Sequence, residues 1–341
     1  MVKSKNDVKP SALVITTLMG YGDMLYLTPF IHFLNLSGFI VDVWAYNTEP
    51  LQNNPDIHEL KKIVDKKVNI PEKYKESYWI FQKFESNANN MHTVDYFTTK
   101  ACNFTLRNKE KSLVFKWSRT DTEYCQALLE KHNLISNESY RCNFVVINPA
   151  ITWPSRTLPL TFYKELIEKI QTNGDRVVLV GKDITPAKNN LTSSELASEE
   201  SKSLYPVAEF PNAVDLTNQL SFSQLAALYS LSKIAINSEN GSMVTSCTND
   251  FCWNLYIPTL NAPDFRLPYR RGSQHYRTIV VGNELDYYPP TDYAKLLAQR
   301  GLFDYLNSSV LCPTVDEVFQ AYLHVNGLFH RGVVEEGGSK C

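Results

Sequence analysis

Short apolar strands alternating with amphipathic helices run through most of this chain. A β-branched run at 12–17 stops short of Gly20, and helical spacing follows at Met24, Leu27, Phe30, Ile31 and Leu34. This predicts a strand, a glycine turn and one helix. Gly38 is placed to close that helix, and the apolar run at 39–45 supplies a second strand, so the opening reads as a right-handed βαβ unit. Between 54 and 143 the segments 54–64, 73–84, 94–104 and 122–134 carry helical spacing, which predicts a helix-rich remainder of a first domain.

A clean apolar strand returns at 144–148, followed by a Pro/Ser/Thr loop, a helix over 161–171 and a strand over 176–180 that ends at Gly181. After a polar stretch at 186–202 come a strand-like 213–217, a helix at 221–231, a strand at 234–237 and a turn at Glu239-Asn240-Gly241 that opens another helix. The tail at 291–329 is helical again. Two strand-first units in tandem predict an α/β protein of two Rossmann-like domains, 1–141 and 142–288, with a helical segment at 289–341 expected to pack back towards the first.

Length and charge narrow the class. The 341 residues are 43% hydrophobic, enough for two cores, and contain no apolar run near the roughly 20 residues of a membrane helix. With 34 Lys and Arg against 36 Asp and Glu, no global field draws the chain to nucleic acid or an acidic membrane. The charged N-terminus lacks the apolar region of a signal peptide, so a cytoplasmic location is expected, with the inner membrane surface as an accessory docking place. Seven scattered cysteines form no CxxC pair, and free thiols with no metal site are expected.

Ligands of doubly wound sheets bind beyond the carboxyl ends of the strands, where helix N-termini attract anions. Three turns qualify. Gly20-Tyr21-Gly22-Asp23 lacks the third glycine and the acidic residue of a dinucleotide fingerprint, which argues against a nicotinamide or flavin cofactor. Its Asp23 fits a general base acting on a hydroxyl, and by spacing alone fits a helix-capping carboxylate equally well. The loop from Asn148 to Pro159 gathers hydroxyls and one guanidinium, Arg156, as a diphosphate cradle. The turn Asn237-Ser238-Glu239-Asn240-Gly241-Ser242 suits phosphate or ribose.

In this order the three turns resemble glycosyltransferase family 9, the ADP-heptose:lipopolysaccharide heptosyltransferases and their relatives. Gly22-Asp23 with Thr28-Pro29 is similar to the family's opening motif, and Asn148 to Pro159 to its Asn-Pro-x-x-x-Trp-x-Ser-Lys-x-x-Pro. Residues 177–181, Asp215-Leu216-Thr217 and the helix at 223–230 match its later elements. The resemblance implies a GT-B architecture, two Rossmann-like domains facing across a cleft with C-terminal helices. It implies Asp23 as the base of an inverting, metal-independent transfer of heptose or hexose to a glycan or lipopolysaccharide-type acceptor. Donor and phosphate contacts would come from Gly22, Trp153, Ser155, Arg156, Gly181, Lys182, Glu239, Asn240, Gly241 and Ser242. No cofactor is implied beyond the nucleotide-sugar co-substrate.

Arg156 stands where the family has Lys, Glu239 where it has Asp, Asn240 where it has Ser or Thr, and Val244 where it has His. The lost imidazole opens two alternatives, a different donor and a nucleotide-sugar-binding protein without catalysis. A cluster at Arg266, Arg270, Arg271 and Arg277 fits an anionic acceptor, lipid-linked glycan phosphate or, as the alternative, a DNA backbone carrying modified bases; it fits a solvated loop as well. Protein is the other alternative acceptor. Tyr74, Tyr78, Trp79, Phe81 and Phe84 crowd one predicted helix, as a packed face or an acceptor- or membrane-contacting one.

Overall fold

A computed structural model describes residues 9–18, 20–64, 68–80, 91–135, 144–149, 158, 160–181, 210, 212–258, 263–282 and 313–330. The first sheet is built from β1 (Ser11–Thr16), β2 (Ile40–Ala45), β3 (Glu59–Lys62) and β4 (Glu76–Ile80), all parallel, in the order β3-β2-β1-β4. A parallel sheet must be covered on both faces. In β1, Ala12 and Val14 point into a core shared with Leu25, Phe30 and Ile31, whereas Leu13 and Ile15 point to Trp44, Ile63 and Tyr74.

The predicted opening helix is two: α1 (Tyr21–Tyr26) and α2 (Thr28–Leu36), which starts with Pro29 in its first turn. Proline is tolerated there because its missing N–H is an orphan anyway. Gly38, at φ +92°, adopts the left-handed conformation expected after α2.

Two of the segments read as helices are strands. In 54–64, Leu60 packs on the core beneath α2 while Ile63 joins the opposite face. Residues three apart share a face in a helix and oppose each other in a strand, so the presence of two cores decides for β3. The aromatic segment is likewise β4 rather than a helix. Tyr78 meets Phe30 edge-on at 5.2 Å, Tyr74 lies buried before the strand with its hydroxyl 2.7 Å from Asp42 Oδ2, and Trp79 is 38% exposed. Aromatic-rich runs favour the pleated surface. Phe81 and Phe84 lie outside the described residues. The other two segments are helices, α3 (Thr93–Cys102) and α4 (Arg119–Lys131).

The second sheet has β5 (Phe144–Asn148), β6 (Arg176–Leu179), β7 (Val214–Asp215), β8 (Ile234–Ser238), β9 (Trp253–Ile257) and β10 (Thr278–Val280) in the all-parallel order β10-β9-β8-β5-β6-β7. This is the doubly wound order of a Rossmann domain. One face is covered by α5 (Leu160–Thr172) and by α9 (Val315–His330); the other by α4 and α6 (Phe222–Leu231). The helices α7 (Gly241–Ser246) and α8 (Pro263–Arg266) follow β8 and β9.

Both segments at the domain boundaries sit differently from expectation. Helix α4, counted with the first domain, lays Cys125 and Leu129 against Phe144, Val146 and Ala227 of the second. The described part of the C-terminal segment does not return to the first domain: Val318, Tyr322 and Val325, one helical face, pack with Leu166 and Ile170 of α5. The Tyr322 hydroxyl donates to Asp175 at 2.6 Å, and Asp175 is paired with buried Lys233 at 2.8 Å, which anchors α9 to this layer. The cysteines Cys102, Cys125, Cys247 and Cys252 are free thiols. No helix among the described residues is long and apolar enough to cross a membrane.

Candidate functional site

Each sheet reverses its strand order once, between β1 and β4 in the first and between β5 and β8 in the second. The turns after β1 and β8 therefore mark the two places where a doubly wound fold binds ligands. They meet. A Cβ on Gly22 would lie 3.2 Å from Val244 Cγ2 and 3.4 Å from the Gly241 Cα, and one on Gly241 would lie 3.5 Å from the Gly22 nitrogen. A side chain at Gly22 would be tight against Val244, which would have to give by a few tenths of an ångström. Val244, 4% exposed, fills the contact, and Phe222, Met243, Cys247 and Tyr256 of the second domain continue the core of the first.

Gly20 is the N-cap of α1, and Asp23 is the third residue of the helix, so the capping position that Asp23 could have held belongs to glycine. A Cβ on Gly20 would lie 2.7 Å from Asp23 Oδ2. The carboxylate is folded over the turn, and any other residue at Gly20 would displace it.

Arg266 comes from the end of α8 in the second domain and reaches Asp23. Its Nη1 lies 3.6 Å from Asp23 Oδ1 and its Nε 3.7 Å from Glu239 Oε1. Nη1 also donates to Thr93 Oγ1 at 3.4 Å, and the buried Tyr26 hydroxyl donates to the Arg266 carbonyl. Burial opposes the guanidinium charge, but Glu239 and Asp23 outweigh it and hold the group above its ordinary range. Burial foremost also pushes the Tyr26 phenol well up. The Arg266 guanidinium thus stands between the carboxylates of the two turns.

The same loop docks on the first domain through His92. Its Nδ1 accepts from the Val94 nitrogen at 3.2 Å, which leaves Nε2 to donate to the Leu267 carbonyl at 3.1 Å. Burial drives this imidazole down to about 3, so it is neutral.

At the second turn, Asn240 caps α7 by accepting from the Met243 nitrogen at 2.9 Å, and Ser242 Oγ pairs with the buried Tyr229 hydroxyl. Two polar atoms there are buried without a hydrogen-bond partner among the described residues, Ser238 Oγ and Asn240 Nδ2. Orphaned buried polar groups are rare and call for a partner such as water, an ion or a ligand. Gly181, at φ +131°, ends β6 and offers its carbonyl to the Asn218 nitrogen at 2.9 Å. Trp153, Ser155, Arg156 and Lys182 lie outside the described residues.

The predicted arginine cluster does not act as one. Arg266 belongs to the Asp23 site. Arg270 and Arg271 converge on Asp250 at 2.7 and 3.2 Å, and Arg277 donates to the Phe251 carbonyl at 2.9 Å. Asp250 is held below its ordinary range: burial raises it, and the two guanidinium groups more than reverse that. What sequence reasoning passed over is Glu49, in a 3-10 turn after β2. Its carboxylate accepts from the Tyr21 hydroxyl at 2.6 Å and, across the domain boundary, from the Phe222 nitrogen of α6 at 2.8 Å. A capping box at Ser221 and Gln224 marks that helix start, but nothing local in the sequence marks Glu49 as its partner.

Among the described residues no group of three or more His, Cys, Asp and Glu side chains is placed to hold a metal ion. No protein-family model matches the chain, and no curated protein matches it. Solved structures do. A family 9 glycosyl transferase from Veillonella parvula superposes with a TM-score of 0.66 at 14% identity, over 94% of this chain and 98% of that one. The iron-containing dodecameric heptosyltransferase TibC of enterotoxigenic E. coli, solved with ADP-D-β-D-heptose, gives 0.60 at 13% identity over 95% and 79%. The E. coli ADP-heptose lipopolysaccharide heptosyltransferase II gives 0.54 at 15% identity over 92% and 100%. The chain has the two-Rossmann fold of the GT-B glycosyltransferases.

Proposed function

We propose that this chain is an inverting glycosyltransferase that moves a sugar from a nucleoside-diphosphate donor to a hydroxyl acceptor. The observation that carries it is the contact of the two ligand-binding turns, one presenting the Asp23 carboxylate and the other Ser238 Oγ and Asn240 Nδ2, which have no hydrogen-bond partner among the described residues. The donor lies along the second turn and the Asn148–Pro159 loop. Trp153, Ser155, Arg156 and Lys182 are assigned to the diphosphate by their motif alone. Asp23 takes the proton of the acceptor hydroxyl. The oxygen attacks the anomeric carbon from the side opposite the donor bond, and the electron pair of that bond leaves with the diphosphate. Cationic side chains rather than a metal ion or another cofactor neutralise the leaving group. The neighbours named as heptosyltransferases, one holding ADP-heptose, make a heptose or hexose donor the first to try.

The test is release of nucleoside diphosphate and transfer of labelled sugar from ADP-, UDP- and GDP-sugars, with wild type and Asp23→Asn. Transfer should fall by about a thousandfold in the variant while nucleotide binding persists. Undiminished transfer would remove Asp23 from the mechanism. A second reading, a nucleotide-sugar-binding protein without catalysis, draws on Val244, an apolar packing residue at the position of the family's histidine. Donor binding with neither transfer nor hydrolysis from any nucleotide sugar would favour it.

A further inference from the structure

Three consecutive peptide carbonyls of the second domain are held by side chains of the first. Thr93 Oγ1 donates to the Phe265 carbonyl at 3.1 Å, the Tyr26 hydroxyl to that of Arg266, and His92 Nε2 to that of Leu267 at 3.1 Å. Gln274 adds a hold from its own domain, donating through Nε2 to the Leu267 carbonyl at 2.8 Å and to that of Asp264 at 3.0 Å. Each bond orients one planar peptide, so three in a row fix both the place and the direction of the backbone at Arg266.

The clamp and the carboxylate come from one helix. Tyr26 stands three residues after Asp23 in α1, and residues at that spacing share a helix face. Tyr26 grips the Arg266 backbone, and the guanidinium of the same arginine reaches Asp23, with Nη1 3.6 Å from Oδ1. Thr93 Oγ1, which holds the neighbouring carbonyl, also accepts from Nη1 at 3.4 Å and so orients the guanidinium. Nε faces the second turn, 3.7 Å from Glu239 Oε1. Both separations exceed that of a hydrogen bond, so the guanidinium draws the Asp23 carboxylate as a charge without taking the place of a hydroxyl donor. The Arg266 side chain is 16% exposed and that of Asp23 19%, and close packing leaves each few alternative rotamers.

We propose that Arg266 is a positioning residue of the transfer: it turns the Asp23 carboxylate towards the second turn, and Tyr26, Thr93 and His92 serve it by fixing its backbone. The proposal rests on the glycosyltransferase reading, in which Asp23 takes the acceptor proton beside a donor on that turn. A reacting group misplaced by about 1 Å loses on the order of a hundredfold in rate. Because Asp23 belongs to one domain and Arg266 to the other, the base is aligned only when the two turns are seated together.

The test is a double-mutant cycle read in kcat and KM, joined to crystal structures of the variants. With ADP-, UDP- or GDP-sugars, Arg266→Gln should lower kcat about a hundredfold and change the donor KM by less than about threefold, and Arg266→Lys should recover about tenfold of the loss. In an Asp23→Asn background the same Arg266→Gln should cost less than about threefold, because a residue that acts through a carboxylate has nothing to act on once it is gone. In crystals of Arg266→Gln the Asp23 carboxylate should shift by about 1 Å or occupy two rotamers while the α1 backbone stays in place. If Arg266→Gln does not fold, Arg266→Lys and Tyr26→Phe, which keep every charge, carry both measurements, with expected losses in kcat of about five- to tenfold. Unchanged kcat in a folded variant, equal losses with and without the Asp23 carboxylate, a loss confined to KM, or an Asp23 carboxylate unmoved in the variant crystal would each overturn the proposal. Should the wild type transfer no sugar from any of these donors, the glycosyltransferase reading falls, and the crystals alone decide whether Arg266 positions Asp23.

Discussion

The turn bearing Asp23 meets the second domain on two flanks, by opposite means. On one flank the contact is largely dry: partly buried Arg266 and Asp23 cluster with buried Glu239, backed by Tyr26 and the neutral His92. On the other, Glu49 crosses to the Phe222 nitrogen at the edge of a polar, open cleft. Charges in the dry flank have exchanged water for one another and cannot be removed singly without leaving an uncompensated ion. In the wet flank, water can replace a lost partner. The first flank fixes geometry, and the second leaves room for a ligand.

The contrast breaks most visibly at Arg266. Arg266→Met removes the guanidinium that Asp23 and Glu239 share and should destabilise the protein by about 3–5 kcal/mol in urea denaturation. A loss under 1 kcal/mol would mean the dry flank does not hold the domains.

The next effect is set by pH. His92 titrates at about 3 in the folded protein, and at about 6.5 when unfolded. Below 6.5 the unfolded chain binds a proton that the folded one refuses, so stability is complete above 6.5 and falls as pH drops towards 3. About 2 kcal/mol should be gone at pH 5, and His92→Gln should flatten that slope in melting curves taken from pH 7.5 to 4.5.

Asn240→Leu should weaken nucleoside-diphosphate binding by about tenfold in calorimetry, the worth of one hydrogen bond to a charged group, while transfer at saturating donor changes little. Equal affinity would show that the Asn240 amide serves no ligand. The smallest change is expected on the wet flank, where Glu49→Gln keeps an acceptor for the Phe222 nitrogen and should lower stability by about 1 kcal/mol or less. A loss as large as that of Arg266→Met would erase the distinction between the flanks.

The sequence made the strands and glycine turns legible wherever a β-branched run met a single period. Segments 12–17, 144–148, 176–180 and 234–237 are strands within a residue or two of the expected bounds, because buried parallel strands need uninterrupted apolar runs. It failed at β3 and β4, whose apolar spacing satisfies a helix and a strand alike. Asp23, Glu239 and Asn240 were singled out from turn position, and the structure places them at the two turns that meet. Arg266 was found for the wrong neighbourhood, and Glu49 was missed, since both act across more than a hundred residues of chain.

By itself, then, the sequence determined the elements, the two tandem sheets and the turns on which Asp23 and Asn240 stand, since each depends on residues adjacent in the chain. Tertiary structure alone decided that the two turns touch through Gly22 and Gly241, that α4 and α9 cover the second sheet, and that Arg266 is the ion partner of Asp23 rather than part of a basic patch. The physical reason is range. Periodicity and turn chemistry report on neighbours a few residues apart, whereas the placing of a charge between two domains depends on which surfaces exclude water together.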